Sequence, residues 1–164
     1  MKKNTNSIEP IRFEESKELL IAELGENYLF GSPMDPSEQW QEFGAYLGNI
    51  PRQKENTAYG LCIDLNNGKG IEYVCGVEVT DIKRLPEPFT HKELPPQKYA
   101  VFAHEGHIST IPQTCDAIWK EWTPGSGYEK PEDADFFFER YGEGFDPKKG
   151  FGDIEVWVPV KTKG

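Results

Sequence analysis

The sequence predicts the same succession of strands and helix twice, and this internal repeat limits the folds open to the chain. Apolar residues at helical spacing predict two helices, and alternating or short apolar runs predict the strands. The helices fall at 36–47 and 109–121, and the strands fall at 18–24, 58–65, 71–80, 91–94, 98–104, 136–141 and 154–160. Both halves therefore contain the order strand, helix, strand, strand.

A short stretch of sequence supports the repeat. Residues 71–77 and 154–160 carry Ile, Glu and Val at the same three of seven positions. A duplicated unit of this kind joins its strands in one sheet and packs its helices on one face. We therefore expect an α+β fold: a duplicated β-α-β-β unit that forms an eight-stranded curved antiparallel sheet with two helices and a central ligand pocket.

One domain is expected after a short first segment. Residues 1–17 are polar and aperiodic, and we interpret them as an N-terminal arm. The domain is expected over 18–161, with halves at about 18–82 and 90–161, because a proline-rich stretch separates them. So few residues precede the domain that no helix-turn-helix region is expected in this chain.

The charge balance disfavours several classes of partner. With 18 Lys and Arg against 28 Asp and Glu, the formal net charge is −10, which opposes direct binding to nucleic acid and to anionic membranes. The chain is also 13% aromatic, so we expect it to fold. It shows no secretory signal and no apolar run of membrane-spanning length, and its 3 cysteines lack CxxC spacing. A cytoplasmic protein is expected.

Motifs that carry recognisable chemistry are missing from the sequence. Phosphate-binding glycine loops and the GxSxG nucleophile motif do not occur. His104 and His107 do not have the HExxH zinc spacing, and no further cluster of metal ligands is evident. We therefore expect no cofactor, no metal site and no assignable catalytic residue.

Two strands near the C-terminus each present a carboxylate beside an aromatic ring. Because side chains alternate along a strand, Glu139 shares a face with Tyr141, and Glu155 shares a face with Trp157. Such a face suits a delocalised organic cation, since the rings attract the cation and the carboxylate balances its charge. The alternative is that both glutamates lie on a solvated outer face, and strand parity leaves both arrangements open.

Several stretches of the sequence resemble one family of ligand-binding domains. They are Tyr59–Cys62, Glu72–Val79, Leu94–Gly106, Trp119–Glu129, Phe138–Tyr141, Phe145–Pro147 and Ile154–Val160. In this order they make the chain similar, over about residues 18–161, to the GyrI-like effector-binding domain of AraC- and MerR-type multidrug-responsive regulators.

The resemblance implies a central hydrophobic pocket in which an acidic residue among aromatic side chains binds bulky cationic aromatic compounds. Carried onto this sequence, Glu139 is the first candidate for the acid and Glu155 is the second. The candidate wall residues are Tyr141, Trp157 and Tyr59 from the strands and Trp119 from the second helix.

The function that the resemblance favours is a stand-alone binding domain for cationic, lipophilic aromatic small molecules, with a regulatory or sequestering role. Regulation would then involve a separate DNA-binding protein. A homodimer of this chain is compatible with the resemblance as well. Two other functions are compatible with the family. One is hydrolysis of cyclopropane-bearing genotoxic compounds by a pocket glutamate, and the other is inhibition of DNA gyrase through protein binding.

Overall fold

The computed structural model describes residues 8–32, 35–65 and 68–163. The strands are β1 (Arg12–Ser16), β2 (Leu19–Leu29), β3 (Gln53–Asp64), β4 (Gly70–Val79), β5 (Thr90–Leu94), β6 (Gln97–His104), β7 (Tyr128–Glu129), β8 (Phe136–Tyr141), β9 (Ile154–Pro159) and β10 (Lys161–Thr162). The helices are α1 (Ser37–Gly44) and α2 (Ile111–Ala117), and α2 is extended by a 3-10 turn at Ile108–Thr110, a π-helical turn at Ile118–Trp122 and a 3-10 turn at Thr123–Gly125.

Eight of these strands form one curled antiparallel sheet, which confirms the predicted α+β fold. Their order is β1-β6-β9-β8-β3-β4-β2-β5, and β7 and β10 form a separate two-stranded ribbon. The halves meet where β8 pairs with β3, with Phe138 opposite Leu61 at the centre of the pairing. This junction, called the seam below, runs through the middle of the sheet.

Each half of the chain completes the sheet of the other half. β1 precedes the first half but pairs with β6, whereas β5 precedes the rest of the second half but pairs with β2. The prediction of an arm over 1–17 therefore differs from the structure at residues 12–16, which form an edge strand. Arg12 helps to hold this strand in place, because its guanidinium donates a hydrogen bond of 2.9 Å to Glu155 of β9. Residues 1–7 of the expected arm lie outside the described residues.

Both faces of the sheet are packed with apolar side chains. The face that carries the helices, called the helix face, buries Phe43 of α1 against β3 and β4, and Ile118 after α2 against β6 and β9. The opposite face holds a cluster drawn from strands of both halves and one connecting segment, in which Tyr99 and Phe138 are fully buried. A side chain near the seam can therefore be buried on either face.

The helices differ from the prediction at their ends. α1 ends at Gly44 rather than at Leu47, because the last amides bond three residues back, as in Tyr46 N–H to the carbonyl of Phe43 at 2.9 Å. Gly48 then turns the chain with φ of +90°. Among the described residues, no helix combines the length and the apolar character needed to span a membrane.

Candidate ligand-binding site

Glu139 lies at the seam, on the helix face of the sheet. On β8 its register partners are Gly60 of β3 and Val156 of β9. Only 8% of the residue is exposed. A carboxylate at this depth is costly unless polar groups compensate its charge, so its surroundings determine what the site can do.

Two tyrosine hydroxyls donate hydrogen bonds to one oxygen of this carboxylate. Tyr141, two residues further along β8, donates to Oε1 of Glu139 at 2.6 Å, and Tyr73 of β4 donates to the same atom at 2.8 Å. Within the described residues, Oε2 receives no hydrogen bond. The protein therefore stabilises the anion through Oε1 and leaves Oε2 able to interact with a ligand.

Trp40 of α1 lies against both of these tyrosines. Its indole N–H donates to the hydroxyl oxygen of Tyr73 at 3.2 Å. Its ring meets the ring of Tyr141 edge to face, with 5.5 Å between centroids and 76° between planes. The helix thus places an aromatic ring against both tyrosines that bind the carboxylate.

Glycine at position 60 makes room for this arrangement. A Cβ there would lie 2.7 Å from Oε1 of Glu139 and would also collide with the hydroxyl of Tyr73. Since both groups converge on this point of β3, any larger residue would push them apart.

Burial controls the protonation of Glu139. Loss of solvent raises the pKa of this carboxyl above its ordinary value, and the hydrogen bonds from Tyr141 and Tyr73 offset part of the rise because they stabilise the anion. Burial and the nearby charge of Glu139 also raise the pKa of both tyrosine hydroxyls. The hydroxyls therefore keep their protons and remain hydrogen-bond donors.

Three thiols lie within reach of the charge on Glu139. Burial is the largest cause that raises the pKa of Cys62, Cys75 and Cys115, and the charge of Glu139 raises it further. The pKa of Cys115 is raised to about 12. Because the thiolate is the reactive form, these cysteines are poor nucleophiles. The arrangement is suited to holding a cation rather than to covalent chemistry on sulfur.

Glu155 lies on the opposite face, where arginines neutralise it. Arg12 donates to its two carboxylate oxygens at 2.9 and 3.1 Å, the indole of Trp157 donates at 2.9 Å, and Arg140 lies 3.7 Å away. Burial alone would raise the pKa of Glu155, but the hydrogen bonds from Arg12 and Trp157 and the charges of both arginines outweigh it, so the pKa is lowered. This carboxylate has little capacity left for a cationic ligand.

The structure divides the candidate residues between the two faces. Glu139 and Tyr141 lie together on the helix face, and Trp119 packs against the same apolar cluster as Tyr141. Tyr59 and Trp157 belong to the aromatic cluster of the opposite face. One compact group therefore contains Glu139, and a separate group surrounds the neutralised Glu155.

Sequence reasoning missed two parts of the site, Tyr73 and Gly60, and it did not place Trp40 among the candidate ligand-binding residues. The repeat carries a signal for Tyr73 only once the strand register is known. In residues 71–77 Tyr73 occupies the position that Val156 has in 154–160, and the structure shows that Val156 is a register partner of Glu139. No comparable signal distinguished Gly60 from other glycines.

Comparison with other sequences identifies relatives of the chain. The sequence model of the GyrI-like small molecule binding domain matches residues 9–161. The transcriptional regulator BrlR of Pseudomonas aeruginosa is 29% identical over 147 residues, which cover 84% of this chain and 51% of the regulator. The chain thus spans about half the length of this curated relative.

Solved structures share the fold at lower identity. The structure of SAV2435 bound to tetraphenylphosphonium has a TM-score of 0.70 and 21% identity, and the match covers 92% of this chain and 93% of that one. The EcmrR C-terminal domain has a TM-score of 0.67 and 12% identity, with 93% and 97% covered. Because the family model matches nearly the whole chain and the fold is shared, this chain belongs to the GyrI-like small molecule binding domain family.

Proposed function

We propose that the chain binds a cationic, lipophilic aromatic small molecule through Glu139. The observation that supports this is a buried carboxylate that Tyr73 and Tyr141 hold by one oxygen, with Trp40 against both tyrosines. An organic cation can meet the other oxygen, while the rings contribute apolar area and quadrupole attraction. Tetraphenylphosphonium, which is bound in the structure of SAV2435, is a cation of this kind.

Glu139 is only 8% exposed, so a bulky ligand needs a neighbouring side chain to move, and we infer that this side chain is Trp40. Two surface hollows of about 610 and 510 Å³ are lined by other residues, and Glu139 lines neither of them. Trp40 is held by the hydrogen bond to Tyr73 and by ring contacts, and the helix that carries it has 8 residues. A bulky ligand would displace the indole and take its place beside the two tyrosines.

Binding of two ions of similar shape and opposite charge tests the proposal. The protein is titrated with tetraphenylphosphonium and with tetraphenylborate, and tryptophan fluorescence follows binding. We expect the phosphonium to bind at least about tenfold tighter, a difference of about 1.4 kcal/mol, because a buried carboxylate repels the borate. Glu139→Gln should weaken phosphonium binding by about tenfold and reduce the difference between the two ions.

Glu155→Gln is the matched control for this substitution. Glu155 lies on the opposite face and is neutralised by Arg12, so phosphonium affinity should be the same as in the unmodified protein. Equal affinity for both ions, or unchanged phosphonium affinity in the Glu139→Gln protein, would contradict the proposal.

A regulatory or sequestering role in the cytoplasm is the second part of the proposal. Its support is the 29% identity with the transcriptional regulator BrlR, and the three cysteines are free, as expected in a reducing compartment. In regulation, the domain would act through a separate DNA-binding protein. Cells that lack this protein should differ from wild type in tolerance of tetraphenylphosphonium or in transcription after exposure to it. Identical behaviour in both respects would contradict the role.

A further inference from the structure

A second concave surface lies at the edge of the sheet, away from Glu139. This edge hollow has a volume of about 510 Å³ and lies between the segment leading into β1, the turns after α2, and β7. Phe13, Trp122 and Tyr128 provide its rings, and Glu9 and Glu121 provide its charges. None of these residues hydrogen-bonds to Glu139.

The three rings contact one another and leave part of their surface open. The ring centroids of Phe13 and Tyr128 are 4.9 Å apart, and those of Trp122 and Tyr128 are 6.0 Å apart with planes 17° from parallel. Phe13 is 39% exposed, whereas Trp122 is 9% exposed and forms the buried end of the group. A flat apolar group can therefore gain contact area in the hollow without unfolding the chain.

The charges around the hollow point to a positively charged ligand. Among the described residues of its lining, the two charged ones are acidic and exposed, and the others are uncharged. The same rings already hold a cation from the protein itself, because Nζ of Lys98 lies 5.4 Å from the ring centroid of Phe13 and 5.3 Å from that of Tyr128. Because Lys98 already lies against these two rings and repels a second positive charge there, the charge of a ligand must lie beside Glu9 and Glu121, with only its aromatic group against the rings.

We propose that the edge hollow is a second ligand site, which binds a small organic cation carrying one aromatic group. The rings of Phe13, Trp122 and Tyr128 hold the aromatic group, and Glu9 and Glu121 attract the charge. Among the described residues this hollow opens at the surface, whereas Glu139 is 8% exposed, so a cation can reach the hollow without movement of Trp40.

Heteronuclear NMR of the tryptophan indole N–H groups distinguishes the two sites, since the chain has 4 tryptophans. The probe is naphthylmethyl-trimethylammonium, with naphthylmethanol and naphthylacetate as its neutral and anionic counterparts. We expect the cation to shift the Trp122 signal, in both the unmodified and the Glu139→Gln protein. It should bind about fivefold tighter than the anion, as expected for exposed charges and rings. A response of Trp40 without Trp122, or equal affinity for all three probes, would overturn the proposal.

Two variants with matched controls test the assigned residues. Glu121→Lys changes an exposed helical residue and should weaken binding of the cation about fivefold, while Glu132→Lys, at an exposed acid elsewhere, should leave binding unchanged. Phe13→Ala should weaken the cation by a similar factor, and Phe151→Ala, which truncates a ring that is 50% exposed at another place, should not. Unchanged affinity in both Glu121→Lys and Phe13→Ala would overturn the assignment even if the cation binds the protein. Failure here leaves the site at Glu139 unaffected, because the two sites share no lining residue.

Discussion

The hydroxyl of Tyr141 lies 2.6 Å from Oε1 of Glu139, two residues away on the same strand. Tyr73 reaches the same oxygen from another strand, so the anion is stabilised by hydroxyl groups rather than by a counter-ion. Glu155 has the reverse arrangement, since two arginines neutralise it. The two glutamates should therefore respond to pH in opposite directions, which gives the first two predictions.

Glu139→Gln is expected to stabilise the ligand-free protein at pH 7. Burial raises the pKa of Glu139, so its contribution to stability is present at low pH and is lost as the pH rises through the pKa of the folded protein. The glutamine keeps the acceptor but carries no charge, and we expect Tm to rise by roughly 2–4 °C at pH 7, or about 1 kcal/mol in a domain of this size. Thermal unfolding at several pH values measures the difference, which should shrink towards pH 4. A destabilised variant at pH 7 would contradict this account.

Glu155→Gln is expected to have the opposite effect. Arg12, Trp157 and Arg140 lower the pKa of Glu155, so its contribution is present at neutral pH and is lost as the pH falls through the lowered value. Because the pair is partly exposed, we expect a loss of about 1 kcal/mol or less at pH 7. Urea unfolding should show a smaller loss at pH 3 than at pH 7, and an equal loss at both would refute the electrostatic cause.

Removal of either tyrosine hydroxyl should shift the pH dependence of cation binding. The hydrogen bonds from Tyr73 and Tyr141 lower the pKa of Glu139, so Tyr73→Phe or Tyr141→Phe should raise it. Since the cation prefers the carboxylate, its affinity falls as the pH falls through this pKa, and in each variant the fall should begin at higher pH. Tetraphenylphosphonium affinity measured across the pH range checks the shift. Tyr59→Phe, on the opposite face, serves as the control and should leave the profile unchanged.

Gly60→Ala should impair binding strongly, although the substitution adds only one methyl group. The added Cβ would lie 2.7 Å from Glu139 Oε1, so the carboxylate and Tyr73 must move apart. We expect destabilisation of about 1–3 kcal/mol and a loss of phosphonium affinity of about tenfold. Gly44→Ala is the control, because a Cβ there would meet no atom within 4 Å. Equal affinities in the two variants would show that the position of Glu139 does not depend on Gly60.

The repeated element order was predictable because it depends on local patterns. Apolar spacing marked both helices, and alternation in β8 correctly grouped Glu139 with Tyr141 on one face. β1 was not predictable in this way, since Arg12–Ser16 is short and charged and its partner β6 lies far along the chain. Such a strand forms because of non-local pairing rather than because of its own sequence.

The choice between the two glutamates also depended on non-local structure. The alternation of side chains along each strand places both Glu139 and Glu155 beside an aromatic residue, so it does not distinguish between them. The register that sets Arg140 opposite Glu155, together with the position of the helices, decides which glutamate is neutralised by arginine and which accepts hydrogen bonds from tyrosines next to Trp40. Likewise, Tyr73 is 66 residues from Glu139 in sequence, so their hydrogen bond could not be inferred from spacing.

The exchange of β1 and β5 between the halves has the geometry of a domain-swapped dimer contained in one chain. Two residues, 17–18 and 95–96, connect β1 and β5 to the strand that follows each of them, yet both pair with a strand of the other half. Neither half can complete its sheet alone, so fragments cut between them should acquire structure only on association. The proposed cation site at the seam would then form only when the two fragments associate. Binding of a cation would therefore measure whether the whole domain is assembled.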